Sequence, residues 1–432
     1  MFHAREQSRT AERELAREIV RDPSAVAALQ RRTLAVIIAS QVVAGMGLSA
    51  GISVGALLAQ QMLGDDSTTR LPVALFTLGS ALSAWLIGQA SQRRGRRWGL
   101  GVGFTVGGIG ALGVVLAAAL NGPGLLFPFL FIYGAGSATN MQARYAGTDL
   151  ARPESRARAT STALVATTVG AVAGPNLVTP LGHVAEALGL PALAGPFLLS
   201  AAAYLGAGLV LFARLRPDPL LLAREIRLSH PDIDEPATPA GVSTAGSRAG
   251  IVVAALIMIV GQIVMVAIMA VTPVHIRATG HGMSAVGVII GLHVAAMYLP
   301  SPLTGRLVDR YGQRPVAAAS ALVLAASGVF AFNAHTLLAT GTALVLLGLG
   351  WNLGLVSGSA MLTDHTPAPR RASIQGTVDV LISLSGAAAS ALAGLVMAQT
   401  SYAALGLVGT GIALALLPAL LWAHHHTPTK GL

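Results

Sequence analysis

The chain has 432 residues, 53% of them hydrophobic and only 11% charged, with 28 Lys and Arg against 18 Asp and Glu. A soluble domain carries about 25% charged residues, so this composition excludes an ordinary soluble enzyme and calls for a polytopic membrane protein. The formal charge of +10 does not indicate nucleic acid, because the arginines sit in short connections between apolar runs, where they act as topology signals. No cysteine is present, which excludes disulfides, zinc knuckles and thiolate sites.

Met1 to Arg32 is polar and has no apolar core of a signal peptide. Arg5, Arg9, Arg13, Arg17 and Arg21 recur every four residues among Glu6, Glu12, Glu14 and Glu18. This spacing predicts a charged helix, 1–32, with a solvated face on the cytoplasmic side. Twelve apolar runs of membrane length follow, at 33–62, 71–91, 98–120, 125–147, 160–182, 189–213, 249–274, 284–305, 316–333, 336–361, 372–398 and 401–423. Arginines cluster after the even-numbered runs, at Arg93 to Arg97, Arg152 to Arg158, Arg214 to Arg227, Arg306 to Arg314 and Arg370 to Arg371. An even number of spans with that bias places both termini in the cytoplasm. The one long hydrophilic connection, 214–248, is kept from spanning by Pro217, Pro219, Pro231, Pro236 and Pro239. It divides the chain into bundles 33–213 and 249–423, with a tail at 424–432.

Several motifs along the spans have bland readings. Gly51-Ile-Ser53-Val-Gly55 matches a hydrolase nucleophile elbow as a string, but that motif needs a strand, a turn and a helix. Here Gly47, Gly51 and Gly55 form a small-residue stripe for helix contact, as do Gly350, Gly354 and Gly358. His424, His425 and His426 read as a solvated tail, with metal handling as the alternative. Asp379 lies about two turns into span eleven, where an ionisable group is expensive and by default functional. Its two readings are a coupling proton or charge balance for a cation, and partnership with an Arg near the cytoplasmic rim. Arg144 and Asp149, at the end of span four, read as rim residues that set a gate.

The halves repeat. Gly88-Gln-Ala-Ser-Gln92-Arg93-Arg-Gly95 follows span two, and Gly305-Arg-Leu-Val-Asp309-Arg310-Tyr-Gly312-Gln313-Arg314 follows span eight. Thr148-Asp149 closes span four and Thr363-Asp364 closes span ten. Matching marks at matching points indicate internal duplication. At these residues the chain resembles the major facilitator superfamily, whose loop signature is a Gly, then an Asp, an Arg, a Gly and basic residues. The resemblance implies an all-α membrane protein of twelve transmembrane helices in two six-helix bundles. It also implies gating by Gly305, Asp309, Arg310, Gly312 and Arg314 and by Gly88, Arg93 and Gly95. Asp309 can accept bonds from a helix N-terminus or pair with a nearby Arg; Gln92 stands where the family has Asp and lacks the charge. Gly170-x3-Gly174-Pro175 resembles the Gly-Pro element of drug–proton antiporters, and its bland reading is close packing plus a kink.

Met265 and Met269 in span seven, and His293 and Met297 in span eight, are each four residues apart and so share a helix face. Each such pair arises by chance about 0.3 times in a chain of this composition. At about 1.5 Å per residue, Met265 and His293 lie at one level near mid-membrane, with Met269 above and Met297 below. Thioethers and an imidazole are soft ligands suited to Cu(I). The pattern is similar to that of the CcoA-like copper importers of the superfamily, whose hallmark is Met-x3-Met in the seventh helix and His-x3-Met in the eighth. That resemblance implies a bacterial inner-membrane carrier that supplies copper for haem–copper oxidase assembly. Copper would be its cargo, with no permanently bound cofactor. Its partners would be the bilayer, a periplasmic copper donor and a cytoplasmic acceptor, and it would act as a monomer. Relatives in the same branch transport riboflavin, so a carrier of an organic solute, riboflavin-like or a drug exported by proton antiport, remains the alternative within transport, and a membrane sensor for oxidase assembly the alternative outside it.

Overall fold

The computed structural model describes residues 23–63, 70–229 and 248–426. The charged repeat Arg5 to Arg21, most of the prolines of the central connection and the last six residues lie outside these ranges. Every regular element among the described residues is a helix. The first bundle holds α1 (Pro23–Leu63), α2 (Arg70–Arg94), α3 (Arg96–Ala119), α4 (Pro123–Ala146), α5 (Arg156–Asn176), α6 (Val178–Ala187) and α7 (Gly195–Arg214). A short α8 (Pro219–Ser229) follows. The second bundle holds α9 (Arg248–Ala278), α10 (Met283–Tyr298), α11 (Ser301–Tyr311), α12 (Gln313–Phe332), α13 (Leu337–His365), α14 (Arg371–Gln399), α15 (Tyr402–Leu414) and α16 (Leu416–His426).

These helices make up the twelve expected segments, three of them broken in two. The breaks have a common cause: proline removes a backbone donor and crowds the preceding turn. Pro175 stands just before the α5–α6 break, Pro300 and Pro302 flank the α10–α11 break, and Pro418 follows the α15–α16 break. Among the described residues, ten segments are long and apolar enough to cross a membrane. Helices α4 and α5 carry Ser, Thr, Asn, Gln and Arg side chains that turn inward, among them the buried Thr139, Asn140, Gln142, Arg144, Thr160, Ser161 and Thr167. Helix starts are marked locally: Thr336 accepts a bond from Ala339 N at 3.1 Å and Ser401 one from Ala404 N at 3.1 Å, each satisfying a free donor of the first turn.

Residues 23–32 run without a break into the first apolar stretch as one helix, Pro23–Leu63, and the rest of the expected charged helix lies outside the described residues. No Gly or Pro between Ser24 and the apolar run interrupts that helix. Each bundle has its own apolar core, one around Phe104, Leu130, Phe197 and Tyr204, the other around Ile257, Leu324, Leu347 and Val356. The glycine stripe of α13 serves close packing: a Cβ on Gly350 would meet Leu324 and one on Gly358 would meet Met258. Gly170 abuts the backbone of Gly45 and Met46 in the same way, so the Gly-Pro segment combines close packing with a break.

Candidate functional site

The bundles meet along two related seams, α2 with α14 and α5 with α10–α11. Both seams close at the end where the arginines gather. At the second seam Asp309 caps α5: its carboxylate accepts from Ala157 N at 3.1 Å, Arg158 N at 3.3 Å and Arg158 Nε at 2.8 Å. At the first seam the Gln92 Oε1 accepts from Ala372 N at 2.9 Å and Ser373 N at 3.4 Å, capping α14 in the same manner without a charge. The glycines four residues before the two caps let the backbones approach. A Cβ on Gly305 would lie 2.3 Å from Ser161 Oγ and 2.9 Å from Ala157 O, and one on Gly88 would lie 2.9 Å from both Ala372 O and Gly376 Cα.

Gly95 and Gly312 take φ of 89° and 91°, a region that favours glycine, and each turns the chain into the next helix. Arg93 and Arg310 are exposed at this end, Arg310 lying over the Tyr311 ring, while Arg314 is half-buried. Three further bonds cross between bundles here: Arg156 with Asp364, Gln89 Nε2 to Ser373 Oγ at 2.8 Å, and Arg96 Nη2 to Gln375 Oε1 at 2.6 Å.

Behind the seams lie two buried ion pairs. Arg96 Nε meets Asp149 Oδ2 at 2.8 Å with both side chains fully enclosed. Arg144 Nη2 meets Asp379 Oδ1 at 2.7 Å, joining α4 to α14. Arg144 also donates to Tyr145 OH at 2.8 Å, Ser359 Oγ at 3.0 Å and the Met141 carbonyl. Arg144 and Asp149, read from the sequence as rim residues that set a gate, are both buried, Arg144 between partners of both bundles and Asp149 against Arg96. Asp379 has the arginine partner that was one of its two readings.

Sequence reasoning missed the partners Gln375, Tyr145 and Ser359, because nothing in a linear chain announces that spans four and eleven meet. It also missed α8 and its anchor. Asp218 accepts from Arg97 N at 2.8 Å and from Leu220 N and Leu221 N at 3.1 Å, capping α3 and α8 together. An Asp-Pro step before a run of leucines carried that signal.

The Met and His pairs lie in the second bundle. Antiparallel to α13, α9 sets Met258 against Gly358 and Ile257 against Gly354, and Trp351 Nε1 donates to Gln262 Oε1 at 2.9 Å. One turn further, Met265 comes level with Leu347 and Gly348. Helix α10 runs parallel to α13, with His293 Nδ1 at 2.8 Å from Leu344 O and its backbone carbonyl against Gly348. Met265 and His293 thus stand at the same turn of α13, with Met269 one turn farther from the Arg-rich end and Met297 one turn nearer. Met265, Met297 and His293 are buried, and Met269 packs half-buried on the same core. Both helices lean on α13 and touch each other only marginally, so the two pairs flank α13 at one level.

The His293 ring has one defined orientation. A carbonyl only accepts, so Nδ1 carries the proton given to Leu344 O. Nε2 is then a bare lone pair, buried and without a hydrogen-bond partner. The Met297 carbonyl, at the α10–α11 break, accepts from Asn352 Nδ2 at 2.7 Å, and the same amide donates to Ser301 Oγ at 2.6 Å. Asn352 therefore fixes the backbone at Met297.

Two helical bundles joined at one end, with buried charges between them and a polar level inside the second, define a membrane carrier and not an enzyme. The Major Facilitator Superfamily profile matches residues 36–297 and 251–431, and the chain belongs to that superfamily. It is 52% identical over 406 residues to the uncharacterized MFS-type transporter YdeG of Bacillus subtilis, covering 94% of each chain. It is 32% identical over 396 residues to the riboflavin transporter RfnT of Brucella anthropi, covering 90% of this chain and 96% of that one. Among solved structures, the proton:xylose symporter XylE superposes with a TM-score of 0.70 at 15% identity, covering 93% of this chain and 96% of that one. The human organic anion transporter MFSD10 superposes with a TM-score of 0.69 at 16% identity, covering 90% and 99%.

Proposed function

We propose that this carrier imports copper as Cu(I) by alternating access, with Met265, Met269, His293 and Met297 as successive ligands. The observation that carries the reading is the His293 ring. Its Nδ1–H is committed to Leu344 O and its Nε2 lone pair is buried and unspent. A metal-ligating imidazole is held this way, its other nitrogen bonded to a carbonyl that fixes tautomer and orientation. The Met265 thioether at the same level of α13, and those of Met269 and Met297 one turn to either side, add soft ligands that carry no proton to displace. Copper is cargo here, and no resident cofactor is invoked. In this reading the carrier sits in a bacterial inner membrane with its Arg-rich end and both termini on the cytoplasmic side. The carrier acts as a monomer between a periplasmic copper donor and a cytoplasmic acceptor that serves haem–copper oxidase assembly. Because Nε2 binds either a proton or the metal, copper affinity falls as pH falls.

A second reading is an organic solute such as riboflavin. Two observations favour it: the likeness to RfnT, and the edge-to-face contact of Tyr298 with Trp351 at 5.9 Å beside the Gln262 amide. Such rings and amides suit a planar heterocycle.

Uptake into vesicles bearing the purified protein separates the readings. Copper accumulation with no flavin accumulation is expected. Leucine at Met265 keeps volume and removes sulfur, so Met265→Leu and His293→Leu each abolish copper uptake, and the double variant is no worse than either. Parent-rate copper uptake by both single variants refutes the copper reading. Flavin uptake indifferent to both establishes the alternative.

A further inference from the structure

Among the described residues, four ion pairs between sequence-distant side chains stand out, and they are not equivalent. Arg96–Asp149 lies wholly within the first bundle, so it travels intact when the bundles part. Arg156–Asp364 and Arg158–Asp309 cross between bundles but are part-exposed, with Asp364 29% and Arg158 55% accessible. Water can resolvate those charges as the seam opens. Only Arg144–Asp379 both crosses the bundles and is closed off from solvent, at 0% and 4% accessibility. Separating it with both charges intact leaves an unpaired buried carboxylate, which is strongly unfavourable.

The atoms around the pair offer a way out. Asp379 Oδ1 is engaged by Arg144 and, at 3.5 Å, by Tyr145 OH, but Oδ2 is buried and has no hydrogen-bond partner. It is a free lone pair on which a proton can settle. Arg144 does not depend on Asp379 for its place, because Met141 O, Tyr145 OH and Ser359 Oγ also accept from it. When Asp379 becomes neutral, the arginine keeps Met141 O and Tyr145 OH within α4 and a single neutral bond to Ser359 Oγ across the bundles, while the charge–charge attraction across the seam is lost.

Few other ionisable groups bear on this carboxylate. Among the elements packed on α14, α2 has none between Arg70 and Arg93, and α9 has none between Arg248 and His275. Helix α15 offers Tyr402 at its far end, and α13 offers Asp364 and His365 at the Arg-rich end. From α4 come Arg144 and Tyr145, and Arg96 of the first bundle acts on Asp379 through its charge. The closed contacts at Ala372, Ser373 and Gly376 stand between Asp379 and the Arg-rich end.

We infer that the Arg144–Asp379 pair is a proton-operated lock between the bundles, with Asp379 the carboxylate that binds the coupling proton. The proton adds to Oδ2, the carboxylate becomes a neutral acid, and the seam is released toward the Arg-rich side. Release of the proton there restores the pair. The inference does not depend on the identity of the cargo.

The chain has no cysteine, so spin labels can be attached at introduced cysteines without altering a native one. Arg94→Cys and Arg370→Cys place labels on exposed positions across the α2–α14 seam. The full-length protein in lipid vesicles, without cargo, should show label separation increasing as pH falls. Control by one proton limits the change in the open-to-closed ratio to about tenfold per pH unit. Asp379→Asn should give the acid distribution at every pH. Asp379→Glu, which keeps the acid and alters its position, should retain the step at a displaced midpoint. His293→Leu should leave the step unchanged, which separates this lock from the copper site. A parent that shows no pH step, an Asp379→Asn variant with the parent's step, or an undisplaced Asp379→Glu midpoint overturns the inference. Loss of copper uptake alone bears on the copper reading and leaves the lock standing.

Discussion

Asp309→Asn isolates the charge of the gate from its shape. Asparagine is as good a helix cap as aspartate, so the bonds from Ala157 N and Arg158 N have an acceptor in the variant. Two contributions disappear. One is the carboxylate's attraction to the α5 N-terminus, about 0.3–1 kcal/mol. The other is its pairing with Arg158 Nε at 2.8 Å. Since the Arg158 side chain is 55% exposed, solvent screening limits that pair to about 0.2–1 kcal/mol. Together the loss is about 0.5–2 kcal/mol in the closed state only, which lowers the closed-to-open ratio about 2- to 30-fold. Labels at Glu154→Cys and Tyr311→Cys, both exposed and on opposite sides of this seam, read that ratio by pulsed distance measurement in vesicles. Membrane insertion and protein level should match the parent, while net transport falls. Added salt should loosen the parent toward the variant and leave the variant unmoved. An unchanged distance distribution with full transport would refute the idea that Asp309 latches the gate.

Gln92→Asp places a charge at the cap of α14 on a side chain one methylene shorter, and the change should stay within about 1 kcal/mol, so the same distance measurement across α2–α14 should move less than for Asp309→Asn. Gly305→Ala puts a Cβ 2.3 Å from Ser161 Oγ; overpacking of about 1–3 kcal/mol should open the α5–α11 seam and slow transport in a protein that still inserts. Deleting everything after Trp422 removes His424 to His426 and should leave copper uptake largely intact; lost uptake at normal protein level would make the His run a working site.

How much of this was legible depends on what was being read. Run length and arginine placement show the twelve segments, because a bilayer imposes both on any chain that crosses it. The repeat at Gly88 and Gly305 reveals two related seams, and the Asp309 cap follows from the chemistry of a carboxylate near free helix donors. The level shared by Met265 and His293 follows from helical rise alone. What linear spacing cannot convey is lateral neighbourhood. Arg144 and Asp149 sit near span ends and so look like rim residues. Only the meeting of α4 with α14, and the reach of Gln375 toward Arg96, encloses them. The prolines of 214–248 exclude a span but say nothing against a helix, and α8 forms between Pro219 and Ser229 on an Asp218 cap.

The two seams share a backbone design and differ in chemistry, and the difference orders the steps of opening. Between α5 and α11 the contacts are charged and partly wet, Asp309 with Arg158 and, beside them, Arg156 with Asp364. Water replaces such partners as they separate, so this seam yields readily and answers to salt. Between α2 and α14 the contacts are neutral, Gln92 on two backbone amides and Gln89 on Ser373. Each is a modest bond whose groups find water when exposed. The enclosed Arg96 reaches Gln375 across this end but keeps its ionic partner Asp149 within the first bundle, so neither seam by itself splits an enclosed ion pair. Arg144 and Asp379 form such a pair, because they lie deeper and on opposite bundles. Glycines at 88 and 305 bring the bundles close enough for that pair to form, and a carboxylate with one unengaged oxygen lets it be undone by a proton. Thus the repeated loops set how tightly the carrier closes, while a single unrepeated pair determines when it is free to open.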